Sequence, residues 1–447
     1  MNDKKLLILC LLAVIVGIGG AVFFSVGSRA LERRKGNSEL AAAIAECDAA
    51  DPDWRWTQLN AKRPKVPSQV NGSDRAKAVA SEVPGWIEGE DQQRLFQAAA
   101  ALPPNSLPTA MVLERARRQH TKHGSAVALA RKFRDAPTGF REPTPPLPQG
   151  LDLDKDDGRE AAIKLISLDS FLAVERGDPD RVVGNLITAL NVSRSISDDP
   201  FLRSQSIRCG LRQLAVTQLE RALAVAEINR GLDQLQTEWG ADAEAPLLRY
   251  GLRGERAYYS DLTDKLTASE PAAEQAKPFV DPEFAKRFES SRGRASIPGD
   301  HAAFLRWMTK AIAATRLPPE EQPAAFKAFP EVPSTGENSL TSSRAAAALA
   351  QAPEFWKSVA LMRCAVVGIA CERYRHKHKH WPETLDLLPP EFLPAVPNDP
   401  FDGKQVKYTK RPDGVTIHST EKDISFRLWN PEARHQSPPE PKVEREP

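Results

Sequence analysis

The strongest pattern along the chain lies at its start. Residues 6–24 (LLILCLLAVIVGIGGAVFF) hold no charged or strongly polar side chain. At 1.5 Å rise per residue such a helix is about 28 Å long, close to the hydrocarbon thickness of a bilayer. About thirteen of its positions are Leu, Ile, Val or Phe, which together favour insertion by on the order of 5 kcal/mol. The run is longer than the roughly 7–15 apolar residues of a cleaved signal peptide, so the expectation is an uncleaved single-pass anchor. Ala13, Gly17, Ala21 and Ser25 recur every fourth residue, placing small side chains on one face through which two copies could meet.

After the anchor the periodicity becomes helical and is punctuated by turn chemistry. Ser38 is placed to cap a short helix at 39–49, and the rest of 36–75 is polar and proline-broken, an irregular neck in which Trp54 and Trp56 act as packing anchors. Helical patterns follow near 92–101 and 108–134, and REPTPPLPQG (141–150), with four prolines, interrupts them. A helix over 158–176 then ends at Gly177. Asp178-Pro179 supplies an N-cap and a first-turn proline for the next helix, 180–196, and Asp199-Pro200 repeats the signal before 201–226. Within 201–226, Ile207, Leu211, Leu214, Ala222 and Val225 line one face and Val216, Leu219 and Leu223 the other. Apolar residues on two faces imply a helix sandwiched between neighbours, as in stacked antiparallel helices. RGDPDRVVGNLITAL, closing at DDP, resembles a single tetratricopeptide unit.

The stretches 267–300 and 318–343 are polar and rich in proline and glycine, and are expected as surface loops around a helix at 301–316. A further helix is expected over 353–375. Its apolar run from 359 to 371, broken by Arg363, is too short for a second membrane span and fits a buried core helix. Alternation around Pro412-Asp413-Gly414 predicts a β-hairpin, with a third strand at 425–429. Residues 435–447 carry no apolar periodicity and are expected to stay disordered.

Composition narrows the function classes. Hydrophobic residues make up 41% and charged residues 27% of 447, enough to bury more than one core unit. The 61 basic and 59 acidic residues are dispersed along the chain, which removes nucleic acid as a partner. Five cysteines form no C-x-x-C pair, so neither a zinc site nor a disulfide framework is implied.

ERYRHKHKHWPETLDLLPPEFLPAVPNDPFDGKQVKY resembles the helix, turn and strand module of type II secretion major pseudopilins, over about 60 C-terminal residues. The likeness implies a helix leading through proline-rich turns to a small sheet. Three departures limit it. His378-Lys379-His380-Trp381-Pro382 replaces the family's H-G-x-W/Y-P turn, and Thr420-Glu421-Lys422-Asp423 replaces its acidic calcium loop. The membrane segment also lacks a prepilin peptidase site with a glutamate after it. More of the chain is similar to an uncharacterised family of membrane-anchored planctomycete proteins, through DPDWRW (51–56), RGDPDR (176–181), RGERA (253–257), RLPPEEQ (316–322) and FRLW (426–429).

Candidate chemistry is thin. His376, His378 and His380 are the metal candidates: as a strand all three share a face, as a helix only His376 and His380 do. The bland alternative is a solvated basic helix end, since Lys377 and Lys379 interleave them. Asp152, Asp154 and Asp156 have the spacing of a calcium loop, but its sixth position would be Asp157 and its twelfth Ile163. Glu255, between Arg253 and Arg256, fits a surface ion-pair network. No nucleophile elbow, phosphate loop or H-E-x-x-H is present, so no catalytic residue and no cofactor are assigned.

The expected protein is mainly α: an N-terminal transmembrane helix, a layered antiparallel helical array of α-solenoid or TPR-like kind, and a small C-terminal α+β module with a three-stranded antiparallel sheet. Its units are 1–35 (anchor), 36–150 (neck and first helical unit), 151–352 (array with polar loops), 353–434 (pseudopilin-like module) and 435–447 (tail). The function expected is a structural or protein-interaction scaffold bound to the lipid bilayer through 6–24. The alternatives are a membrane-tethered hydrolase or metal-dependent enzyme, and an accessory factor of pseudopilin-type secretion. The body is expected on the extracytoplasmic (periplasmic) side, as the pseudopilin likeness implies; the alternative is a cytoplasmic body, which Arg29, Arg33, Arg34 and Lys35 after the span favour.

Overall fold

The computed structural model describes residues 3–143, 158–279, 282–329 and 339–436, with the side chains of 3–25 and 283 outside the described set. The protein is mainly helical and ends in a small three-stranded antiparallel sheet. Among the described residues no helix is long and apolar enough to cross a membrane. The span expected at 6–24 and the small-residue face at Ala13, Gly17, Ala21 and Ser25 fall on side chains outside that set. So do the calcium-like Asp152, Asp154 and Asp156, and nearly all of the tail.

The first helix, α1 (Asp3–Ala50), runs without a break through the segment where Ser38 was expected to cap a separate short helix. Its partner is α14, described below, and the two cross so closely at Gly36 that a β-carbon there would lie 2.8 Å from Gly299 N. The glycine permits close approach here instead of stopping the helix, and packing offsets its roughly 1 kcal/mol propensity cost. Five short helices follow: α2 (Trp56–Ala61), α3 (Gly72–Glu82), α4 (Glu90–Ala100), α5 (Ala110–Lys122) and α6 (Gly124–Arg131). The single helix expected over 108–134 is thus divided at His123-Gly124.

The punctuation read from Gly177 and Asp178-Pro179 is present as predicted. Helix α7 (Arg159–Glu175) ends before Gly177, which has a left-handed backbone, and Asp178 accepts from Arg181 N at 3.0 Å to start α8 (Pro179–Arg194). Helix α8 packs against both α7 and α9 (Leu202–Val225). Then come α10 (Leu232–Ala243), α11 (Leu247–Ala268), α12 (Glu270–Ala276) and α13 (Pro282–Arg287).

Two long helices depart from the sequence expectation. Helix α14 (Ser291–Ala314), capped by Ser290, contains Pro298 and occupies ten positions expected as loop or later helix start. After α15 (Gln322–Lys327), α16 (Leu340–His378) begins thirteen residues before the expected start and runs straight through Pro353. In both helices the hydrogen bond lost to proline is outweighed by apolar burial: Ile297, Phe304, Leu305, Met308 and Ile312 on α14, Ala345, Ala348, Phe355 and Trp356 on α16. Asp300, itself buried, fixes the start of α16 by accepting from Leu340 N (2.8 Å), Thr341 N (3.2 Å) and Thr341 Oγ1 (2.7 Å).

The predicted hairpin and third strand form the sheet β1 (Lys407–Arg411), β2 (Gly414–His418), β3 (Ser425–Trp429), in that spatial order, with Arg411 opposite Gly414 and Val415 opposite Leu428. Phe426 seats on α16 at Gly368, where a β-carbon would come within 2.4 Å of its ring.

Burial gathers into two large cores and a small cluster of Ala224, Val225 and Trp429. One gathers α3–α10, the second half of α16 and the sheet; the other gathers the end of α1, α11, α14 and the first half of α16. Helices α9 and α16 belong to both: Phe201 and Leu202 lie in the second core while Leu211 to Leu223 lie in the first, and Phe355 and Trp356 lie in the second while Met362 to Tyr374 lie in the first.

Candidate functional site

Two of the motifs singled out in the sequence, DPDWRW and RGERA, meet in space. Asp51 follows the last turn of α1, where Asp51 N donates to Cys47 O at 2.9 Å. Its buried carboxylate accepts a two-pronged bond from Arg253 (Nε to Oδ2 and Nη2 to Oδ1, both 2.9 Å) and a further bond from Arg256. Arg256 is fully buried, donates to Thr309 Oγ1 on α14 at 2.9 Å, and stacks on Trp54 at 5.3 Å. Arg316 donates to Ala50 O at 3.1 Å, answering the free carbonyls at the C-terminus of α1. Trp54 Nε1 reaches Asp48 (2.9 Å), and Trp56 packs on Phe201 and Tyr258, so both tryptophans are the packing anchors expected.

Glu255 does not sit in a surface ion-pair network. It is buried on the opposite side of α11 from Arg253 and Arg256, where burial pushes its carboxyl up while the Leu202 N–H and the charge of Arg344 draw it down. Leu202 is the first residue of α9, so Glu255 supplies the acceptor that Phe201, without a capping side chain, lacks. Between them Gly254 admits the backbone of Pro200: a β-carbon there would lie 1.8 Å from Pro200 O. RGERA is therefore a joint between the end of α1, the start of α9 and α11. The neighbouring cleft of about 310 Å³, lined by Asp53, Lys62, Arg63, Asp198 and Arg253, has its charges paired: Lys62 with Asp53, Arg63 with Asp198 and Arg253 with Asp51.

The metal candidates separate. Helix α16 continues through His378, and Lys379 leaves it in the left-handed conformation. His378 stacks on Tyr374 at 4.2 Å, and His380 Nδ1 lies 2.9 Å from Trp381 O. His376 alone reaches carboxylates: its Nε2 lies 3.3 Å from Glu372 and 3.4 Å from Glu227, three ligand atoms within 4.8 Å of one another. The same carboxylates are already taken by arginines. Arg375 and Arg434 grip Glu372 at 2.6 and 2.9 Å, and each reaches Glu227 at 3.2 Å. Burial pushes the Glu372 carboxyl up, but His376, Arg375 and Arg434 outweigh it and hold it at about 2. A divalent cation here would face two guanidinium groups at close range, so the donor set suits a buried ion cluster better than a metal.

Glu227 and Arg434 carried no signal in the sequence, because each gains its role only from a partner remote along the chain. The same holds for Asp169, which is fully buried and accepts from Arg131 (2.6 Å), Asn185 (2.9 Å) and Arg181 of the RGDPDR motif (2.8 Å), with His120 at 3.1 Å. Asp399, the acid of the D-P-F turn, is satisfied by Ser419 and by Thr420, whose N–H lies 2.6 Å away. No known protein family, no curated protein and no solved structure matches this chain.

Proposed function

We propose that this chain is a membrane-tethered helical scaffold whose body is held rigidly on its anchor helix and offers a layered helical array to protein partners. The observation that carries the reading is the continuity of α1 with the body. One helix contains the apolar run 6–24 and, further on, Ala43 and Cys47 in the second core. It is then locked at Asp51 by Arg253 and Arg256. A flexible tether needs none of this, whereas a scaffold that fixes the orientation of its body at a membrane does.

The packing of α8 between α7 and α9 supports a TPR-like array, and the meeting of DPDWRW with RGERA gives a physical reason for two of the five motifs that carry the planctomycete resemblance. The pseudopilin-like module favours an extracytoplasmic body.

The test is extraction of membranes with alkaline carbonate. The full chain stays with the pellet and a chain beginning at Val26 appears folded in the supernatant. Recovery of the full chain in the carbonate supernatant overturns the tether. Cross-linking in intact membranes, read by mass spectrometry, tests the scaffold, and a body with no reproducible cross-link to another protein overturns it.

A further inference from the structure

A second cavity, of about 120 Å³, opens where the two cores meet, between α9, the start of α11, the segment after α14 and α16. Its chemistry differs from that of the cleft beside Asp51. Arg212 lines it and is buried; its Nε donates to Asp242 Oδ2 at 2.7 Å and its Nη2 to Asp242 O, while Nη1 meets no acceptor among the described residues. Arg249 and Arg316 line it too. Burial and the charges of Arg316 and Arg253 push the Arg249 guanidinium down, and no carboxylate pairs with it among the described residues. Helix α11 starts here, and its cap residue Pro246 has no side chain that could accept from the first-turn N–H groups. Among the described lining residues the one carboxylate is Glu244, which is engaged by both prongs of Arg363 at 3.1 Å. Its apolar lining is Leu247, Phe355, Trp356 and Val359.

The geometry points to a binding site for a small aliphatic carboxylate of about butanoate size, its charge on Arg212, Arg249 and the start of α11 and its chain against Phe355, Trp356 and Val359. Size follows from volume: an apolar cavity of about 150 Å³ takes benzene, so this one holds roughly six non-hydrogen atoms. Class follows from the donors. The guanidinium fork of Arg249 matches the two oxygens of a carboxylate, with Arg212 adding charge beside it, while inorganic phosphate would leave the aromatic and aliphatic lining uncovered. The inference goes beyond the scaffold reading and does not depend on it.

The test is ligand-observed NMR titration of the full chain in detergent with sodium butanoate at constant ionic strength, alongside butanamide and inorganic phosphate. Saturable butanoate binding is expected, weakened at least tenfold by Arg249→Gln, whose side chain holds no carboxylate in place, and independently by Val359→Phe, which fills the cavity. Thermal unfolding of Arg249→Gln should stay within a few degrees of the parent. Butanamide binding as tightly as butanoate, phosphate binding more tightly than butanoate, unchanged affinity in both variants, or no saturable binding would each overturn the assignment.

Discussion

Replacing Asp51 by alanine removes the acceptor for both Arg253 and Arg256 while leaving the helices they stand on. Arg253 is about one third exposed and can turn to water, but Arg256 is fully buried, and its remaining partner, Thr309, is neutral. An uncompensated buried charge costs about 3–5 kcal/mol, the larger part of the effect, since the exposed Arg253 bond contributes only about 1 kcal/mol. The loss acts locally, because the clamp fastens the end of α1 to α11. The free energy of opening residues 43–51 should fall by at least ~3 kcal/mol, an increase of on the order of a hundredfold in their amide exchange rates. Hydrogen exchange read by mass spectrometry on the detergent-solubilised chain measures this directly, with peptides from α7 and α8 in the other core as internal reference. The double change Asp51→Leu with Arg256→Met removes the stranded charge and should restore most of the protection, since a buried ion pair replaced by apolar groups of similar size is near neutral. Exchange in Asp51→Ala that is unaltered, or a double variant as labile as the single one, would refute the reasoning.

Glu372 sets an acid dependence. Its carboxyl is held at about 2 in the folded protein, below the ordinary 4.5. Its contribution is therefore complete above about 4.5 and lost as pH falls towards about 2, so the stability difference between the parent and Glu372→Gln, measured by thermal unfolding, should shrink over that window. Gly254→Ala drives a β-carbon into Pro200 O and should destabilise by at least ~3 kcal/mol, the upper end of overpacking costs, whereas Gly210→Ala, which meets nothing within 4 Å, should be neutral or better in chemical denaturation. Zinc should raise the unfolding temperature by no more in the parent than in His376→Ala, because Arg375 and Arg434 already occupy the carboxylates; a parent-specific rise would restore the metal reading.

What the sequence disclosed was local. The Gly177-Asp178-Pro179 corner and the Pro412-Asp413-Gly414 hairpin depend on backbone chemistry within a few residues, and both lie where expected. Pro298, Pro353 and Ser38 were misleading for the converse reason: their local preference is fixed, but the packing that overrides it comes from other helices, α1 and α14 for each other and α9, α11 and α14 for α16. The candidate site follows the same division. His376, His378 and His380 were visible as a run, yet only His376 meets carboxylates, where Glu227 and Arg434 decide its surroundings, and the Asp51 clamp spans 202 residues to Arg253. RGERA hid its logic because its arginines and its glutamate serve opposite sides of one helix.

One arrangement recurs through the molecule, a buried carboxylate shared by two arginines: Asp51, Asp169, Glu372 and Asp242 each hold such a pair. Two oxygens can accept two forks, but every such trio carries one surplus positive charge, and what becomes of it differs. At Asp169 both Arg131 and Arg181 are about one third exposed, and at Asp51 Arg253 is, so water takes the surplus. At Glu372 the second carboxylate, Glu227, balances it. At Asp242 the side chains of Arg208 and Arg212 are 6% and 1% exposed, a third arginine, Arg194, stands 3.6 Å away, and the remaining acid, Glu238, is engaged by that Arg194. The surplus there has neither water nor a spare acid, and Arg212 borders the cavity at the seam. Butanoate affinity should therefore depend on Arg208, which does not line the cavity: Arg208→Met removes the surplus while Arg212 keeps its bonds to Asp242, and should weaken butanoate several-fold while leaving butanamide unaffected. An Arg208→Met protein that binds butanoate like the parent would show that direct contacts alone, and not the buried excess of charge, draw the anion in.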